Sequence, residues 1–287
     1  MIFNGGKTKQ IEHLSAEVAV CRPFIINKHL EVSDVIVAMR IIPISQQASG
    51  AFNNGQIIEN KPIGFPQDGG FVRPYSSLFY WARAEGVVDS TIGLHPHQGF
   101  EIMSFVLEGK IKHFDTKLND WRPLEAGDAQ IIRAGNGISH AEHIERGGVI
   151  FQIWVDPDLS KTLAMDASYD DYKADAFPHS GAEGVDIIHY AGEQGLMQLV
   201  TPGVDIRRIK LSARMYTWPA SPDFIRSLYV VGGSGMLNGK TIEQDDFIIV
   251  DDGADLSLEA HRDGLDLFAM TVPAQPNYPT YAHRLRH

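Results

Sequence analysis

The chain has 287 residues, 44% of them hydrophobic, and its 36 acidic against 25 basic side chains leave a net charge of −11. That length suits one large all-β unit or two domains with a buried core, and that charge repels nucleic-acid phosphates and anionic lipid, so neither direct nucleic-acid binding nor a membrane is expected. Met1 leads into polar residues, no apolar run is long enough to span a bilayer, and the single cysteine, Cys21, has no internal partner, all of which point to a cytoplasmic protein.

In chain order, Pro43 to Gly70 is rich in Gln, Asn, Gly and Pro with little periodicity, and reads as a long loop or insertion able to flap over a site. Short Val-, Ile-, Phe- and Tyr-rich segments closed by turn residues follow, among them Phe105-Val-Leu-Glu-Gly and Val149-Ile-Phe-Gln-Ile-Trp-Val, which is the pattern of many short strands. At Asp156-Pro157-Asp158 the pattern breaks, and Ser160 to Tyr172 reads as a linker with one short helix. Strands resume near Val185 and continue to Val272, with Asn238-Gly239 as a hairpin signal. The expected organisation is therefore an N-terminal unit over 1–157, a linker over 158–180 and a C-terminal unit over 181–287. The halves also echo each other: Phe105-Val-Leu-Glu-Gly can be laid on Tyr229-Val-Val-Gly-Gly, and Leu124 to Ile132 on Ile242 to Val250.

Two segments carry the chemistry. His95-Pro-His-Gln-Gly-Phe-Glu101 holds one i, i+2 pair, and Gly135-Asn-Gly-Ile-Ser-His-Ala-Glu142 holds another. In an extended strand such pairs share a face, so His95 and His97 aim two imidazoles one way while His140 and Glu142 aim an imidazole and a carboxylate. If the strands face each other, three nitrogens and one oxygen converge and leave two octahedral positions open, which is the chemistry of non-haem iron(II) oxygenases rather than of a closed zinc site. Glu101 has the parity of His95 and His97, together with Met103, Phe105 and Leu107, and is the candidate carboxylate to hydrogen-bond and orient a ligating imidazole. His143 should point outward.

These residues resemble the pirin family of the cupin superfamily. The histidine motif is matched by His95-Pro-His-Gln-Gly-Phe-Glu101, the downstream motif by Ala134-Gly-Asn-Gly-Ile-Ser-His-Ala-Glu142, and the strand entering the linker by Phe151-Gln-Ile-Trp-Val-Asp-Pro; the resemblance is dense from Leu94 to Pro157. It implies two tandem double-stranded β-helix (cupin) barrels, a bicupin, with minor helix in the linker and iron in the N-terminal barrel held by His95, His97, His140 and Glu142. Gln98 and Asn136 stand where the family usually has arginine. Laid through the internal repeat, Pro219, Ser221, Leu258 and Ala260 fall where the four ligands lie, so the second barrel is expected to be metal-free.

The expected function is an iron(II) dioxygenase acting with dioxygen on quercetin, a flavonol, or a similar small enolic aromatic, with Glu142 also the candidate general base. Zinc, nickel, manganese, cobalt or copper are the ions a purified sample could carry instead. The alternative is a non-enzymatic, iron-dependent, redox-sensing regulator that acts through a protein partner.

Overall fold

Apolar residues in alternation, punctuated by Gly, Asn and Asp, fold into antiparallel strands in the computed structural model, which describes residues 39–285 except 213, 220 and 252. Cys21 lies outside the described residues. The first half runs through β1 (Met39–Ile42), β2 (Ala48–Phe52), β3 (Ile57–Ile63), β4 (Leu78–Gly86), β5 (Ser90–His97), β6 (Glu101–Glu108), β7 (Lys110–Asp115), β8 (Trp121–Glu125), β9 (Ala129–Arg133), β10 (Ile138–Ile144) and β11 (Val149–Val155). A short helix, α1 (Leu159–Thr162), and β12 (Ser168–Tyr172) follow. Two sheets result, a 4-stranded one in the order β5-β10-β7-β8 and a 7-stranded one in the order β12-β9-β6-β11-β4-β3-β2. Between them lie Ile57, Ala84, Val106 and Ile150 from the larger sheet and Ile111, Leu124 and Ile144 from the smaller, which makes the first barrel.

The second half comprises β13 (His179–Ala182), β14 (Val185–Ala191), β15 (Asp205–Leu211), β16 (Met215–Trp218), β17 (Phe224–Leu237), β18 (Lys240–Glu243), β19 (Phe247–Val250), β20 (Leu256–Pro273) and the terminal α2 (Tyr281–Arg284). All its strands join one 9-stranded sheet. Register shifts between Val230 and Gly232 and between Gly233 and Gly235 bend the long β17–β20 pair, so that β20 meets β16 with one half and β15 with the other. Its interior is apolar and includes Leu258 and Ala260. Asn238 and Gly239 both have positive φ, as the β17–β18 hairpin requires.

The internal repeat is visible in the pairing: Phe105 sits opposite Ala129 in β6–β9, and Tyr229 opposite Phe247 in β17–β19. These are the positions that the sequence repeat superposes.

The centre of the 7-stranded sheet is buried on both faces, which explains why β11 is almost continuously apolar. Ile150, Gln152 and Trp154 face the first barrel's cavity. Val149, Phe151, Ile153 and Val155 face the other way and pack, with Trp81, Met103 and Phe105, against Tyr229, Phe247 and Phe268 of the second half. Trp81 presents its ring edge-on to Phe151, Phe247 and Phe268 at centroid distances of 5.5, 5.3 and 5.6 Å. Truncating so large a buried ring to alanine costs roughly 3–5 kcal/mol.

Three expectations change. Pro43 to Gly70 is not a loop: β2 and β3 form a hairpin closed by Asn53 and Asn54 in the left-handed region, at the edge of the 7-stranded sheet. The division at 157 and 180 is crossed twice, since β1 pairs with β19 of the second half and β12, within the expected linker, extends the first barrel through β9. The third is the parity of Glu101. Gly99, at φ 84, turns the chain between β5 and β6, which enter different sheets, so the inward face of β5 does not continue into β6. Glu101, Met103 and Phe105 consequently face the second half.

Candidate metal centre

Strands β5 and β10 are antiparallel neighbours, with His95 opposite His140 and His97 opposite Ile138. Their i, i+2 spacing turns three imidazoles toward one point. Ring centroids lie 4.4 Å apart for His95 and His140, and 4.8 Å apart for His95–His97 and His97–His140. One ring nitrogen from each lies within 4.8 Å of the others. His97 Nε2 and His140 Nε2 face each other at 3.0 Å, a separation at which two lone pairs require a shared proton or a shared cation. His95 Nδ1 lies 2.8 Å from the Gly93 carbonyl, an acceptor only, so Nδ1 carries the proton and Nε2 keeps its lone pair.

Burial holds His97 and His140 neutral. It lowers the His97 pKa to about 4, with help from neighbouring His95, and lowers that of the fully buried His140 further, with His95, His97 and His113 adding to the effect. Neutral imidazoles are the form that ligates metal.

Glu142 follows a register shift after His140 and lies opposite His113 on β7. It is not part of the three-imidazole cluster. Its buried carboxylate is clamped instead: Oε1 accepts from Ser104 Oγ at 3.1 Å and Gln130 Nε2 at 3.4 Å, and Oε2 accepts from Gln152 Nε2 at 2.6 Å. Trp154 Nε1 donates to Gln152 Oε1 and the Tyr169 hydroxyl to Gln130 Oε1, so both amides are oriented with their donors toward Glu142. With two donors on Oε1 and one on Oε2, an acceptor position remains on Oε2.

Glu101 does not orient an imidazole. Its carboxylate accepts from Val200 N and Thr201 N at 2.7 Å each and from Thr201 Oγ1 at 2.5 Å, with Arg133 Nε 3.9 Å away. It ties the first barrel to the segment after β14. Burial raises its pKa against the lowering effect of those bonds. His143, facing away, pairs with Thr91 Oγ1.

His95, His97 and Glu142 open onto a cavity of about 360 Å³ whose wall carries Phe52, Phe65, Tyr80 and Trp154, together with Glu59 and Lys61. Trp154 stands edge-on to His97 at 4.9 Å and also packs on Tyr80 and Phe65. Sequence reasoning missed Ser104, Gln130 and Gln152, although each is a polar residue at an inward position of an otherwise apolar strand, which is a usable signal. It also missed the buried His113–Asp115 pair on β7, joined at 2.8 Å beneath a stacked Tyr169. Gln98 and Asn136 line a separate shallow cleft, where Gln98 Nε2 donates to the Asn136 carbonyl.

Three imidazole nitrogens beside a clamped carboxylate, with no thiolate among the described residues, fit a first-row divalent ion with open positions. Fold and site together define a metal-binding bicupin. Residues 71–155, spanning β4 to β11, match the Pirin family. A pirin-like protein of Caulobacter vibrioides is 39% identical over 29% of this chain and 36% of its own length. A Vibrio cholerae protein, provisionally named a quercetin 2,3-dioxygenase, is 26% identical over 71% of this chain and 78% of its own length. The bacterial pirin of Escherichia coli in complex with nickel(II) superposes with a TM-score of 0.67 at 20% identity, covering 83% of this chain and all of that one. The chain spans little more than a third of several curated relatives it matches, such as the one from Zymomonas mobilis at 37%. The chain is thus similar to pirin-related proteins over residues 71–155 and shares their fold more widely.

Proposed function

We propose that the chain is an iron(II)-dependent dioxygenase of a flavonol such as quercetin, or of a similar small enolic aromatic, with His95, His97, His140 and Glu142 as the ligands. The observation that carries this reading is the cluster of three imidazoles opening, beside a clamped carboxylate, onto an aromatic-walled cavity. The names of relatives support it: a 69-residue stretch is 39% identical to an Escherichia coli quercetin 2,3-dioxygenase, over 29% of that protein.

Iron(II), when bound, supplies Lewis-acid polarisation of a substrate hydroxyl and a redox partner for dioxygen. The chain supplies the rest. Phe65, Tyr80 and Trp154 hold a planar ring and keep water away from it. Glu142 is the one anionic group of the ligand set. Its Oε2, with an acceptor position left, completes the donor set or takes the proton of the substrate hydroxyl, while Ser104, Gln130 and Gln152 keep the carboxylate in place. Nickel or zinc in purified protein would reflect availability during expression rather than need.

The test is elemental analysis followed by anaerobic iron(II) reconstitution and an oxygen electrode. Oxygen uptake that requires both iron and quercetin, with release of a depside and carbon monoxide, is the expected result. Full iron loading without uptake, joined to a protein interaction that follows the oxidation state of the iron, would make the chain a regulator instead.

A further inference from the structure

The inward face of β3 runs Ile57, Glu59, Lys61. Ile57 belongs to the barrel core, yet the next two inward positions are charged and line the cavity. Glu59 is only 7% exposed. Its carboxylate accepts from the Tyr80 hydroxyl at 3.2 Å and lies 3.6 Å from Lys61 Nζ, which is itself 3.4 Å from Asp68 Oδ2. Burying charges in a wall that could have been apolar is costly, and burial does raise the Glu59 pKa. The surrounding backbone makes room for them. Gly50, opposite Glu59 on β2, has no side chain, and a Cβ there would come within 2.7 Å of Glu59 Oε2 and 2.9 Å of Lys61 Cε. The pair lies outside residues 71–155, the stretch that matches the Pirin family.

We propose that Glu59, Lys61 and Tyr80 form the specificity-determining polar wall of the cavity, recognising the hydroxyl groups of a neutral phenolic ring. This rests on reading the cavity as the substrate site. Glu59 accepts from a phenolic O–H and Lys61 donates to its oxygen, so one hydroxylated ring satisfies both. Two carboxylates, Glu59 and Asp68, surround one ammonium, and that balance disfavours an aromatic ligand ending in a carboxylate. Tyr80 holds Glu59 in position and presents its ring to the ligand's face. A site built to hydrogen-bond a hydroxyl rejects analogues lacking it, because its own buried polar groups are then left unmatched. Gln98 and Asn136, outside this cavity, do not set the preference.

The test compares quercetin with galangin, the same flavonol without the two hydroxyls on its pendant ring. Each is titrated anaerobically into the full iron(II)-loaded chain by tryptophan fluorescence, using wild type, Glu59→Gln and Lys61→Gln, with circular dichroism as the folding check. Wild type should prefer quercetin by about tenfold or more, and each variant should bring that ratio below about threefold. If one variant misfolds, the ratio in the other decides. A preference that is absent in wild type, or unchanged in a folded variant, overturns the polar wall even if wild type consumes oxygen with both flavonols. A preference lost in the variants while wild type consumes no oxygen supports the wall and overturns the dioxygenase. Failure of both compounds to bind wild type overturns both.

Discussion

Gln152 Nε2 stands 2.6 Å from Glu142 Oε2, the shortest of three side-chain donors that fix this carboxylate beside the imidazoles. The Gln152 amide is itself oriented by Trp154, so a residue on β11 determines where an anion on β10 points. Gln152→Ala removes a charge-assisted bond to a buried group. Metal affinity, read by competition with a chromophoric chelator, should fall about 10- to 100-fold. Stability in urea should fall by about 1–3 kcal/mol.

Glu101→Ala should behave in the opposite way. It leaves the amides of Val200 and Thr201 and the Thr201 hydroxyl without their buried acceptor, so stability should drop by roughly 2–5 kcal/mol. Metal stoichiometry, measured on the folded fraction by elemental analysis, should stay at the wild-type value. Loss of metal without loss of stability would restore Glu101 to the site.

The contrast shows what the sequence could and could not reveal. The convergence of His95, His97 and His140 was legible because strand parity survives a one-residue gap, whereas Glu142, past a register shift in β10, lies outside that cluster; the internal repeat was legible because equivalent strands keep equivalent register. Glu101 was misplaced because the turn at Gly99 resets parity and sends β5 and β6 to different sheets, which composition does not record. The β2–β3 hairpin was hidden because Glu59 and Lys61 interrupt the apolar alternation that marks a strand. Those interruptions are the charged wall of the cavity, so function there obscured the structural signal.

Asp156 gives a pH signature independent of the metal. Fully buried, it has a pKa raised from 3.8 to about 6 by burial, opposed by the Tyr281 amide and Arg284, and Oδ1 finds no hydrogen-bond partner among the described residues. A folded-state pKa above the unfolded value means that the protonated form is the favoured one in the fold. Its contribution is therefore present in full below about pH 4 and lost as pH rises through about 6. The stability of wild type relative to Asp156→Asn, from denaturant melts, should decline between pH 4.5 and 7.5. A difference that stays flat or grows with pH contradicts this.

His97→Ala and His140→Ala should each lose most bound metal while far-UV circular dichroism stays that of a β protein, since apolar strands rather than an ion close the barrels. His143→Ala, which only frees Thr91, should keep its metal. Complete unfolding of the His97 variant would show that the ion has a structural role.

The most direct measurement is an anomalous-difference map, recorded at the iron edge, from crystals of anaerobically iron(II)-loaded protein. One peak per chain is predicted, about 2.0–2.2 Å from Nε2 of His95, His97 and His140, the range typical of first-row metal–imidazole bonds, with Glu142 Oε2 as the oxygen donor. A loaded crystal with no peak among these three imidazoles, or with its peak at another group such as His113 and Asp115, would contradict the assignment.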